Sequence, residues 1–95
     1  MDIYIAPIDQ YIIDAVTAFR VKKEISQDGL AAILKVNKSF IGSIESSQYR
    51  AIYNIKHINA FSCYFNEPVA SFLPNKGLPE KAIIKRKPMP LTENV

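Results

Sequence analysis

The sequence predicts an all-α fold, a bundle of five helices followed by a short irregular tail. Three observations predict it. Apolar residues recur at spacings of three and four rather than two. Ser26, Asn37 and Asn54 each stand just before such a run, where a helix start calls for a side-chain acceptor. Four of the six prolines gather at positions 74, 79, 88 and 90, beyond the last run.

The first helix is expected from Ile8 to Lys23, with Asp9 as its N-cap and Ile12, Val16 and Phe19 as its inner stripe. The pair Lys22–Lys23 suits its C-terminus, where backbone carbonyls gather negative charge. Ser26 caps a second helix whose inner residues are Leu30, Ala31 and Leu34. Lys35 and Val36 turn the chain, and Asn37 caps a third helix to about Ser46, with Ile41 and Ile44 inward. A polar loop leads to Tyr53. Asn54 then caps a fourth helix with Ile55, Ile58, Phe61, Ser62 and Phe65 inside. A short fifth helix runs from Glu67 or Pro68 to Leu73, stopped by Pro74. Two parts follow from this: a folded domain over 8–74 and a Pro- and Lys-containing tail over 75–95. Within the tail, Ala82–Lys85 would make one short strand or a docking segment.

A length of 95 residues holds one domain, and a hydrophobic content of 48% supports a packed core. No apolar run reaches the ~18 residues that span a bilayer, and no basic stretch precedes an apolar one near the start. The expectation is a cytoplasmic protein with no membrane partner. A single cysteine, Cys63, excludes an internal disulfide framework and fits a reducing compartment. Net charge is +3, but its distribution says more. Residues 1–19 carry three acids (Asp2, Asp9, Asp14) and no base, whereas residues 20–57 carry seven bases against three acids. A basic middle is the footprint expected where phosphates are held.

Enzyme chemistry finds little to work with. His57 and Cys63 lie six residues apart on one helix, roughly 240° around its axis, so they form no nucleophile–base pair. One cysteine and one histidine make no zinc spacing. Gly29, Gly42 and Gly77 form no phosphate-cradling loop. The expectation is no enzyme, no metal and no cofactor. His57 reads as a surface or edge residue, and Cys63 as a small buried or interface one.

One set of spacings is more specific. Arg20, Ile25-Ser26-Gln27, Leu30-Ala31, Val36-Asn37-Lys38-Ser39 and Ile41-Gly42-Ser43-Ile44-Glu45 follow one another in order. Tyr53-Asn54-Ile55, Ile58-Asn59 and Phe72-Leu73-Pro74 continue the series. From Arg20 to Leu73 the chain resembles the phage repressor/Cro-type helix-turn-helix regulators, also called the xenobiotic-response-element family. The physics agrees: two helices crossing steeply through a short turn need a small residue such as Ala31 at their closest approach. The resemblance implies that Arg20 and Glu45 form a buried ion pair between helix 1 and the end of helix 3. The plain alternative is two solvated charges.

The resemblance also implies that helix 3 enters the major groove of duplex DNA. Lys38, Ser39, Gly42 and Ser43 would then face base edges, while Gln27, Lys35, Asn37 and Arg50 would contact phosphates. Tyr49 and Tyr53 would stand nearby at the rim. Phe40 has two readings, packing on the helix 2 side or touching a thymine methyl, and packing is favoured. The family commonly carries glycine where this chain has Glu24 and Ser47, so strain is expected if either keeps a positive φ.

The implied function is sequence-specific binding of double-stranded DNA by a transcriptional regulator, acting as a homodimer at a short palindromic operator. Tyr64, Val69 and Phe72 are the candidate dimer anchors. A phage-type repressor, a restriction–modification controller and an antitoxin all fit, the last with a toxin or other protein partner. The alternative is a protein-interaction module that keeps the fold but binds a partner protein rather than DNA.

Overall fold

A single proline sets the start of the first helix. The computed structural model describes residues 3–80 and 84–86. Strand β1 (Tyr4–Ile5) leads through extended Ala6 into α1 (Pro7–Lys22), with Pro7 in the first turn, where its missing N–H costs nothing. Ala6, not Asp9, is therefore the N-cap; its carbonyl accepts from the Asp9 and Gln10 N–H groups. Asp9 lies within the first turn, where its charge still favours the helix.

The buried stripe of α1 is Gln10, Ile13, Val16, Thr17 and Arg20, while Ile12 and Phe19 pack half-buried beside it. Polar Thr17 and Arg20 disguise this stripe in the sequence and make Ile12 look like its start. The chain leaves α1 through Glu24, at a φ of 58°, the left-handed conformation that glycine adopts most easily. Ser47 carries no such strain, since the left-handed non-glycine residues among those described are Glu24, Lys35 and Asn66.

Helices α2 (Gln27–Leu34) and α3 (Lys38–Glu45) are joined by only Lys35, Val36 and Asn37. The Ser26 side chain accepts from the Gly29 N–H at 3.0 Å, satisfying one of the orphan donors at the start of α2. Lys35 ends α2 in the left-handed region (φ 58°, ψ 47°), and the Val36 N–H reaches back to the Ala31 carbonyl at 3.0 Å. This closes the helix as a glycine would, at some conformational cost to the lysine. Leu30, Ala31, Ile41 and Ile44 are buried and fill the wedge between the two helices.

α4 (Ile55–Phe65) starts with a reciprocal cap. Asn54 accepts from the His57 N–H at 3.0 Å, and His57 Nδ1 accepts from the Asn54 N–H at 3.1 Å. Ile58 and Phe61 are buried, but Ile55 is 66% exposed, contrary to expectation. Helical side chains lean toward the N-terminus, and a residue at the first position has no preceding turn to lie on. Cys63 is exposed rather than buried. The expected fifth helix is a single 3-10 turn, Val69–Phe72, too short for the α-helical bond pattern. Among the described residues there are thus four α-helices, not five. Phe72 is 1% exposed, and its ring meets Phe19 at 5.5 Å and Phe61 at 5.0 Å between centroids, both edge-on.

The described part of the Ala82–Lys85 segment is a strand, one of the two outcomes expected for it. Strand β2 (Ile84–Lys85) pairs antiparallel with β1, Tyr4 opposite Lys85 and Ile5 opposite Ile84. Residues 84–86 thus lie against the start of the chain; Ala82 and Ile83 lie outside the described residues. Arg86 follows and is 3% exposed. Its N–H bonds to the Ile3 carbonyl at 2.7 Å, and Nη1 donates to the carbonyls of Tyr49 at 2.6 Å and Ala51 at 3.4 Å. Nη2 donates to the Ile44 carbonyl in the last turn of α3. Burial lowers the pKa of Arg86, and the negative charge of Asp14 opposes that shift.

Candidate nucleic-acid interface

The outer face of α3 is framed by a buried charge network. Arg20 Nε and Nη2 donate to the two Glu45 carboxylate oxygens at 2.8 Å each, a bidentate pair with both side chains 3% exposed. Arg20 Nη1 also donates to the Ile25 carbonyl at 2.8 Å. One guanidinium thus ties α1, the entry to α2 and the end of α3 together. The ion-pair reading holds, and the alternative of two solvated charges does not.

Gln27 joins this network, which the sequence did not suggest. Its Nε2 donates to Glu45 Oε1 at 3.1 Å, so the side chain expected on a phosphate is partly committed inside the protein. Its position as the first residue of α2 remains that of a helix start. A Cβ at Gly42 would meet Gln27 Oε1 at 3.7 Å, an ordinary contact, so packing does not demand glycine there.

The four residues expected to face bases lie together on the outer side of α3, with Lys38 and Ser39 exposed and Gly42 and Ser43 half-buried. Lys38 Nζ stands 3.6 Å from Asp28 on α2, with both side chains more than 60% exposed. Such a solvated pair is worth about 0.2–1 kcal/mol and yields to a better partner. Asn37 is exposed and makes no side-chain capping bond, so its amide is uncommitted as a cap. Lys35 and Arg50 are exposed, as is Tyr49. Tyr53 is not at the rim. It is 4% exposed, and burial, with the charge of Glu45 adding and that of Arg20 opposing, raises its pKa well above the usual phenol range.

Phe40 is half-buried and packs against the core, with its ring 5.3 Å from that of His57. Val36, Asn37, Ser39, Phe40 and Ser43 line a shallow depression of about 430 Å³. A second, more apolar groove of about 470 Å³ lies between α2 and α4, lined by Ile25, Gly29, Ala32, Ile33, Tyr64 and Phe65. Of the candidate dimer anchors, Tyr64 is 66% exposed beside this groove. Val69 is half-buried against the core, and buried Phe72 is corrected from interface anchor to core residue. Phe72 belongs instead to an aromatic cluster with Phe19 and Phe61.

His57 has a capping role that only the spacing Asn54-x-x-His57 hinted at. Nδ1 must be unprotonated to accept from the Asn54 N–H, and burial lowers the His57 pKa from its ordinary 6.5. As pH falls, the unfolded chain takes up this proton before the folded one does. The contribution is therefore complete above about pH 6.5 and is lost as pH falls through the lower folded value. Melting temperatures between about pH 7.5 and 5 should fall more steeply for the wild type than for His57→Gln, whose amide oxygen accepts without titrating. Equal slopes would remove His57 from the cap.

Among the described residues, no helix is long and apolar enough to cross a membrane, and no group of three His, Cys, Asp or Glu side chains could hold a metal ion. No protein-family model matches this chain, and no curated protein or solved structure matches it.

Proposed function

We propose that the protein binds double-stranded DNA sequence-specifically through a helix-turn-helix formed by α2 and α3, as a transcriptional regulator at a short, two-fold symmetric operator. One observation carries the reading. The Arg20–Glu45–Gln27 network fixes α3 against α1 and α2 and leaves a small, polar outer face of Lys38, Ser39, Gly42 and Ser43. A recognition helix needs this combination, a rigid frame and side chains that hydrogen-bond without blocking backbone approach. Exposed Lys35 and Arg50 supply charge for phosphates. One such domain reads few base pairs, so a homodimer doubles the readout.

Lys38 and Gln27 separate reading from holding. Lys38→Ala should cost about 1–3 kcal/mol on the preferred duplex and change the preferred base at one position per half-site. Gln27→Ala should weaken binding to all duplexes by similar factors, since phosphates carry no sequence. Titrations of both variants against the preferred duplex and its single-base variants measure the difference. Equal, sequence-blind losses in both would take Lys38 off the bases.

The Lys38–Asp28 pair favours a second reading, a module that keeps this fold and binds a partner protein. The pair sets a carboxylate 3.6 Å from the only base on the outer face of α3. An Asp28→Ala variant with stronger duplex binding supports the first reading, because it frees Lys38 and removes a charge that repels phosphates.

A further inference from the structure

We infer that the depression beside the α2–α3 turn is a seat for the 5-methyl group of a thymine, formed by Val36 and Phe40 and edged by the hydroxyls of Ser39 and Ser43. The inference rests on the DNA-binding reading and adds to it a specific base at a specific place. Val36 and Phe40 are the apolar residues of a depression otherwise lined by Asn37, Ser39 and Ser43. Both are half-buried, so each has a surface in contact with the core and another left open.

The seat is formed before any ligand arrives. The Val36 N–H is held by the Ala31 carbonyl at 3.0 Å, which fixes the turn. Phe40 lies against His57, whose own ring is held at the α4 cap. A turn and a ring already held in place cost little to order on binding, which favours a small contact.

Base chemistry then selects the occupant. In the major groove, thymine alone among the four bases offers an apolar knob, its C5-methyl, next to the O4 acceptor. A depression that sets Val36 and Phe40 beside two serines matches that pair: methyl against Val36 and Phe40, O4 accepting from Ser39 or Ser43. Cytosine leaves Val36 and Phe40 uncovered. The uncommitted Asn37 amide has the donor and acceptor that an adenine edge requires, which suits the base paired to that thymine.

The test replaces each thymine of the preferred duplex, one at a time, by deoxyuridine, which removes the methyl and keeps the pairing. Wild-type protein should lose about fourfold in affinity at one thymine per half-site, the effect of uncovering one methyl group. Val36→Ala and Phe40→Leu should each reduce that difference, and thermal melts check that both variants stay folded. Equal binding of the wild type to every deoxyuridine duplex overturns the seat while leaving DNA recognition intact. A fourfold loss that persists unchanged in both variants also overturns it, by placing the methyl elsewhere. No preferred duplex at all overturns the seat together with the reading it rests on.

Discussion

Glu45→Ala is expected to destabilise the fold by about 3–5 kcal/mol, because it leaves the Arg20 guanidinium buried without its counter-charge. In a domain of this size that lowers the melting temperature by more than about 10 °C. The Gln27 amide loses its acceptor at the same time. The intact pair adds less net stability than this suggests, since desolvating two charges offsets most of their attraction. An Arg20→Met, Glu45→Leu double variant should therefore recover much of the loss, as a hydrophobic pair of similar volume. Its α3 would be held by packing instead of by directional bonds, so duplex binding should recover less than stability does. Denaturant melts of the single and double variants measure this. A loss below about 0.5 kcal/mol for Glu45→Ala would mean that the pair is solvated.

Arg86→Ala should produce the second large effect, about 2–4 kcal/mol. It removes the donor to carbonyls of Ile44, Tyr49 and Ala51 in a single step. The Ile44 carbonyl lies in the last turn of α3, where acceptors have no helical N–H to meet them. Loss of the guanidinium should loosen both that turn and the loop after it, and amide exchange should rise across residues 44–53. Arg86→Lys should recover little, because an ammonium cannot reproduce a planar fork serving carbonyls in different directions. Unchanged exchange in Arg86→Ala would show that the tail docks without holding α3.

These two arginines mark what the sequence reveals and what it hides. Arg20 is legible only through the resemblance, which implies its pairing with Glu45 at the end of α3. Ser26 and Asn54 are legible for a local reason: each caps its helix within three residues. Arg86 is not. It sits among lysines and prolines and looks solvated, and what buries it is pairing with Ile3 and with carbonyls 35 to 42 residues away. No periodicity reports contacts at that separation. Phe72 misled in the opposite way, because an aromatic near the end of a helical domain reads as an exposed anchor until Phe19 and Phe61 close around it. Within the candidate site, the outward set Lys38, Ser39, Gly42 and Ser43 follows from helical geometry alone. The partial commitment of Gln27 and the Lys38–Asp28 pair depend on how α2 meets α3, which only the packed structure specifies.

Selection of wild-type protein on randomised duplex DNA at moderate salt tests most directly whether α3 reads duplex sequence. Enrichment of a short motif repeated with two-fold symmetry is expected, with half-sites about one helical turn apart. Affinity for the enriched duplex should fall as salt rises, through release of counterions from the contacted phosphates. A selected pool with no sequence in common, at a salt concentration where the folded protein still binds DNA, would contradict sequence reading by α3.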